Sequence, residues 1–293
     1  MKELTDKTVG FIGLGLMGRP MCHNLIKAGL LPVVYNRSPQ PRQELAGEGA
    51  VVAASSAEVA EKSDIIVIMV ADTPAVESVL TGPDGVLKTL RPDALLIDMG
   101  TTAVPATRRL AALVEEKGAL YVDAPVSGGT IGAENGSLTI MAGASEQAFA
   151  RALPVLNLLG ERITHVGATG AGQVAKAANQ VIVGLNIGAV AEALALAKTA
   201  GVDPAKVRAA LRGGFADSRI LEVHGQRMVD GTFAPGAKCT TQRKDMHQAL
   251  ELAAGLGLDM PATALSRDLY DRLIAAGDGD LDHAALFRLY TSN

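Results

Sequence analysis

Along the first 167 residues the apolar positions fall into short runs separated by helical patterns. Residues 8–12 (TVGFI) are the first run. It is short, apolar and rich in β-formers, and reads as a buried strand. A helical pattern over 20–28 stops at Gly29, and a second strand follows at 31–35. Further strands are expected at 50–53, 64–70, 94–98, 120–123, 137–142 and 163–166, with helical patterns at 39–48, 56–61, 74–80 and 105–117 between the earlier ones. This alternation predicts a doubly wound, mainly parallel sheet. From Ala168 the pattern changes. One long helix is expected over 172–198, and only helical patterns follow it, at 204–212, 218–229, 244–256, 261–276 and 283–288. Pro204 and Pro261 suit first helical positions. The expected architecture is therefore α/β: a Rossmann domain over 1–167, and a helical domain over 168–293 that includes the long linking helix. Gly184, Gly188, Ala191 and Ala195 form a small-residue stripe on that helix, suited to close packing against the first domain or another subunit.

The turn after the first strand reads Gly13-Leu14-Gly15-Leu16-Met17-Gly18. A GxGxxG pattern between a strand and a helix is the context a dinucleotide fingerprint requires. The first glycine permits the tight turn, the second lets the backbone approach the pyrophosphate, and the third lets helix and strand pack closely. The helix N-terminus then presents N–H groups to the phosphates. Asn36, Arg37 and Ser38 end the second strand, where NAD-binding versions carry an acid for the ribose 2′-hydroxyl. No acid stands there, and a guanidinium pairs bidentately with a 2′-phosphate. The pattern favours NADP(H) over NAD(H). The alternative for Arg37 is a solvated charge at a strand end.

Ligands of such sheets bind beyond the carboxyl ends of the strands. The segments to inspect are Met69-Val70-Ala71, Met99-Gly100-Thr101-Thr102 and Pro125 to Gly129. Ser127-Gly128-Gly129 reads in two ways: as a cradle of N–H groups and a hydroxyl for a carboxylate, or as a simple tight turn. In the long helix, Lys176, Asn179 and Gln180 lie three and four apart, so they share a face and can point into one cleft.

Composition narrows the partners. Trp is absent, aromatics are 3% and the net charge is −4 with no dense basic block, which argues against nucleic acid. The two cysteines form neither a disulfide framework nor a metal cluster. His23, His165, His224, His247 and His283 are scattered without carboxylate or Cys partners at ligand spacing, so no metal is expected. No apolar run approaches the roughly 20 residues that span a bilayer. The start lacks a signal-peptide layout. The expectation is a cytoplasmic protein with no membrane partner.

Taken together, four blocks resemble the β-hydroxyacid dehydrogenase family, the relatives of 3-hydroxyisobutyrate and 6-phosphogluconate dehydrogenases. They are GFIGLGLMGRPMCHNL at 10–25, DAPVSGGTIGAENGSLTIMAG at 123–143, GAGQVAKAANQ at 170–180, and Lys244-Asp245. The second and third are the more specific. The resemblance implies hydride transfer between nicotinamide and the β-carbon of a small hydroxy acid, of the tartronate semialdehyde and glycerate type. It implies Lys176 as the catalytic acid and base, and Ser127, Gly128 and Gly129 as holders of the substrate carboxylate. Asn179, ranked before Gln180, would bond the substrate hydroxyl or carboxylate. Thr101 would stand near the nicotinamide ribose, Met69 and Val70 beside the cofactor, and Lys244, oriented by Asp245, would contact the cofactor from the helical domain. A homodimer or homotetramer is implied as well.

Two positions depart from the family pattern. Cys22 replaces a Ser or Ala, a mild packing change. Ala237 stands where the family carries a pocket aromatic, usually Phe, which leaves the exact substrate open and suggests a wider pocket; Phe233 is a candidate to compensate. An imine reductase is the competing reaction class, and glyoxylate and succinic semialdehyde are neighbouring substrates. Lys176 and the SGG run argue against the imine reductase.

Overall fold

The structure is a computed structural model, which describes residue 4 and residues 6–291. The chain divides into two compact units, 1–176 and 177–293.

The N-terminal unit is built on a nine-stranded sheet. Its parallel part comprises β1 (Val9–Ile12), β2 (Val33–Tyr35), β3 (Val51–Val52), β4 (Ile65–Ile68), β5 (Leu95–Asp98) and β6 (Leu120–Asp123), in the order β3-β2-β1-β4-β5-β6. This is the doubly wound order, whose topological switch point lies between β1 and β4. The helices α1 (Gly18–Lys27), α2 (Pro39–Ala46), α3 (Ser56–Lys62), α4 (Thr73–Thr81) and α5 (Val104–Glu115) connect these strands. Side chains alternate between two cores. Phe11, Val34, Val67 and Ile97 enter one, and Ile12, Val33, Ile66 and Leu96 enter the other. Burial on both faces explains why β1, β2, β4, β5 and β6 read as continuous apolar runs, whereas Val51 and Val52 of β3 are exposed.

Beyond β6 the sheet departs from the parallel pattern. β7 (Val126–Ser127) and β8 (Leu138–Gly143) are antiparallel, joined by the seven-residue α6 (Gly129–Asn135). After α7 (Glu146–Leu156), β9 (Gly160–Gly167) pairs parallel with β8. No helical pattern along the chain announces α6, because two glycines open it and it is only seven residues long.

The remaining long helix, α8 (Ala171–Thr199), matches the predicted span and contains the boundary between the units. Its best 18-residue window has a mean hydropathy of 1.7, with 44% of the window buried. By length and composition α8 is apolar enough to cross a membrane, which corrects the expectation that no run approaches that length. A core helix of a folded domain has the same composition.

The C-terminal unit is helical. It holds the rest of α8, α9 (Pro204–Leu211), α10 (Arg219–Asp230), α11 (Cys239–Gly255), α12 (Pro261–Leu273) and a 3₁₀ stretch, His283–Tyr290. Its core gathers Ile187, Ala191, Leu194, Met246, Tyr270 and Leu286. The small-residue stripe serves this core. A Cβ on Gly184 would lie 2.6 Å from Met246 Sδ and 2.8 Å from Gln242 Nε2, so Gly184 faces α11 of its own unit. For Gly184 this corrects the expectation of packing against the first domain or another subunit. α11 begins five residues earlier than expected, because the AKCTTQR segment has no apolar periodicity to announce it.

Candidate functional site

The glycine turn is shaped by space as much as by conformation. Gly13 has a φ of +97°, and a Cβ there would lie 2.2 Å from Met69 O. A Cβ on Gly18 would lie 1.9 Å from Gly13 O, so helix and turn close only around hydrogen. Gly15 is different, with nothing within 4 Å of its Cβ position. Among the described residues, no side chain caps the start of α1. An open backbone, a close-packed turn and an uncapped helix N-terminus suit the pyrophosphate of a dinucleotide. Leu14 is buried while Leu16 is exposed. Asn36 braces the turn: its Oδ1 accepts from Leu14 N at 2.9 Å and its Nδ2 donates to Ser38 O at 3.1 Å. Arg37 and Ser38 are exposed at the end of β2. Arg42, not picked out from the sequence, stacks over Tyr35 at 5.4 Å on the same edge.

Met69 and Val70 follow β4 and are half-buried, and Met69 N donates to Ile12 O at 2.8 Å. Thr101 lies in the loop between β5 and α5. The Ser127-Gly128-Gly129 run is not a simple turn, since Ser127 ends β7 and Gly129 starts α6. Gly128 and Gly129 have φ of +131° and +61°, and nothing lies within 4 Å of the Gly129 Cβ position. Lys176 is 8% exposed. Its Nζ donates to Val126 O at 2.8 Å, which brings the ammonium to the residue before Ser127.

Sequence reading missed three buried polar residues in this unit: Asp98, Asp123 and Gln173. The available signal was an acid closing each of two otherwise apolar strands. Asp98 Oδ1 accepts from Gly100 N, and its Oδ2 accepts from Thr102 Oγ1 and Tyr121 Oη. Asp123 accepts from the N–H groups of Gly170 and Gln173 at 2.6 and 2.9 Å. Burial pushes the Asp123 carboxyl up to about 7, with the charge of Asp98 adding to the rise and the two N–H groups opposing it.

In the C-terminal unit, Asn179 Nδ2 donates to Gln180 Oε1 at 2.8 Å, and Gln180 Nε2 donates to Asp245 Oδ2 at 2.6 Å. Asp245 is also paired with Lys244 at 2.9 Å. Gln242, also missed, donates to Gln180 O at 3.0 Å. The four candidates Asn179, Gln180, Lys244 and Asp245 therefore form one polar chain. Phe233 is packed against the helical core, which ties its ring there.

The histidines are less scattered than the sequence suggests. His224, Asp282 and His283 bring their ligand-type atoms within 4.8 Å of one another. Asp282 is fully buried and already accepts from the N–H groups of Gly236, Ala237 and Ala284, while Arg227 pairs with it at 2.6 Å. That donor set describes a charge clamp on the 236–237 loop.

Known proteins share this plan over nearly the whole chain. Residues 8–167 match the NAD binding domain of 6-phosphogluconate dehydrogenase, and residues 170–290 match the NAD-binding domain of NADP-dependent 3-hydroxyisobutyrate dehydrogenase. The 2-hydroxy-3-oxopropionate reductase of Escherichia coli is 50% identical over 278 residues, 95% of each chain. A crystal structure of 3-hydroxyisobutyrate dehydrogenase from Salmonella typhimurium is 31% identical with a TM-score of 0.89, covering 97% of this chain and 100% of that one. An imine reductase from Myxococcus stipitatus is 21% identical with a TM-score of 0.65, covering 98% of this chain and 100% of that one, and shares the fold alone. The chain belongs to the β-hydroxyacid dehydrogenases, the nicotinamide-dependent oxidoreductases related to 3-hydroxyisobutyrate dehydrogenase.

Proposed function

We propose that this protein is an NADP(H)-preferring reductase of tartronate semialdehyde or a near relative, with Lys176 as general acid and base. The observation that carries the reading is the buried Lys176 ammonium, 2.8 Å from Val126 O and next to the Ser127-Gly128-Gly129 run. The 50% identity to a 2-hydroxy-3-oxopropionate reductase supports the choice of substrate.

In reduction, Lys176 donates a proton to the aldehyde oxygen as the carbonyl becomes a hydroxyl. In oxidation its neutral amine takes the hydroxyl proton. Nicotinamide, when bound, supplies or receives the hydride. Ser127 and the N–H groups of Gly128 and Gly129 hold the substrate carboxylate. Asn179 bonds the substrate hydroxyl or carboxylate. Gln180, bonded to Asp245, holds Asn179 in place. The turn from Gly13 to Gly18 receives the pyrophosphate, and Arg37 pairs with a 2′-phosphate while Asn36 and Ser38 shape that corner. Met69, Val70, Thr101 and Lys244 complete the cofactor contacts. The working assembly is a homodimer or homotetramer.

The test is initial-rate reduction of tartronate semialdehyde, succinic semialdehyde, glyoxylate and a cyclic imine, with NADPH and NADH in parallel. Strong turnover of tartronate semialdehyde with NADPH is expected. Turnover of the imine alone would overturn the reaction class, and equal rates with both cofactors would overturn the role of Arg37.

A further inference from the structure

Two acids outside the proposed proton transfer close neighbouring strands. Asp98 ends β5 and Asp123 ends β6; the two are partners in register and both are fully buried. Asp123 faces the start of α8. Its Oδ1 accepts from Gly170 N at 2.6 Å, and its Oδ2 from Gln173 N at 2.9 Å. The fit is close. A Cβ on Gly172 would lie 2.8 Å from Asp123 Oδ2, and one on Gly143 would lie 2.6 Å from Oδ1.

Gln173 extends the connection. Its Oε1 accepts from Thr102 N at 3.1 Å and its Nε2 donates to Gly100 O at 2.9 Å. Asp98 grips the same two residues from the strand side, through Gly100 N at 3.0 Å and Thr102 Oγ1 at 2.7 Å. Thr101 stands between two clamped neighbours. Lys176 follows Gln173 by three residues on the same helix. Gln173 is 2% exposed, so these bonds are made out of water, where losing one partner leaves a costly unpaired group.

We infer that Asp123 and Gln173 are positioning residues, which lock the first turn of α8 to the 100–102 loop and thereby fix the Lys176 ammonium. This rests on the reading of Lys176 as general acid. An ionised Asp123 accepts two N–H groups at a helix N-terminus, where a negative charge is favoured. The ionisable groups that face it are Asp98 from β5 and Tyr121 on its own strand. Arg108 of α5 lies against Gly170, whose N–H Asp123 holds. With its carboxyl held up near 7, Asp123 loses charge as pH falls through that value, and its grip on α8 weakens.

The experiment compares the native enzyme with Asp123→Asn, Gln173→Ala and Lys176→Ala, using NADPH and the aldehyde acid that the substrate panel identifies. kcat, KM and NADPH Kd are read across pH, with thermal melts to measure the folded fraction. Asp123→Asn and Gln173→Ala should each lower kcat by about 10- to 100-fold, the scale of a misplaced catalytic group. KM and NADPH Kd should stay near native values. The fall of kcat below about pH 7, the value near which Asp123 is held, should vanish in Asp123→Asn and persist in Gln173→Ala. Should Asp123→Asn not fold, Gln173→Ala decides through its split of kcat from KM. Folded variants with native kcat, or with kcat lost only in proportion to unfolded protein, would overturn the inference. A dead Lys176→Ala beside a fully active Asp123→Asn removes this inference alone. An active Lys176→Ala removes the general-acid reading and the inference with it.

Discussion

At the scale of single residues, the proposed proton transfer depends on Lys176 and the proposed cofactor preference on Arg37. Replacing Lys176 with Ala removes the proposed proton donor, so kcat should fall by about 10²- to 10⁴-fold, with NADPH affinity nearly intact in a fluorescence titration. Turnover near the native rate would exclude the proposed role. Arg37 is exposed, so its contribution is expected only with the 2′-phosphate present. Arg37→Asp should lower kcat/KM for NADPH by about tenfold or more, the scale of one charge-assisted bond, and raise the preference for NADH. An unchanged ratio would point to another residue, with Arg42 on the same edge the first to test. Lys176 and Arg37 are candidates from the sequence alone because each stands at a fixed offset inside a motif. Asp123 and Gln173 are not. Their motif neighbours hide them, and only the meeting of β6 with the start of α8 shows what they hold.

At the scale of elements, α1 and α10 offer contrasting tests. Gly18 is packed so closely that a Cβ would lie 1.9 Å from Gly13 O. Gly18→Ala should therefore destabilise the fold by about 1–3 kcal/mol through overpacking and weaken NADPH binding. A native melting temperature with native NADPH affinity would contradict that geometry. At α10, Ser218 caps the helix through Leu221 N at 3.0 Å. Ser218→Ala should cost about 1 kcal/mol, read by denaturant unfolding, without changing kcat. Elements with a strong local signal were legible: both-faces-buried strands as apolar runs, and α8 as a Pro-free stretch. α6 and the first turns of α11 were not. α6 is held by the return of the chain from β7 to β8, and α11 opens on polar residues whose packing partners are distant in sequence.

For the whole molecule, pH exposes how the C-terminal unit is tied together. Burial alone would raise the Asp282 carboxyl, but His224, His283 and the N–H groups of Ala284 and Gly236 outweigh it and hold it well below the usual carboxylate range. A carboxyl with a depressed folded pKa contributes stability above its unfolded value, near 3.8, and that contribution is lost as pH falls below it. Asp282→Asn should lower stability at pH 7 by about 3 kcal/mol, the cost of breaking a buried pair. It should also flatten the drop in melting temperature below about pH 4, the range where an ordinary Asp titrates. A parallel drop in both proteins would show that Asp282 is not the group involved. The sequence determined the strand order's raw material, the glycine turn, the long helix and the candidate lysine, because each is a local matter of period, backbone freedom or motif spacing. Tertiary structure alone decided which acids are buried and what they grip. It also decided that Gly184 packs on α11 and that His224, Asp282 and His283 meet. Those facts depend on residues tens of positions apart, and no local pattern carries them.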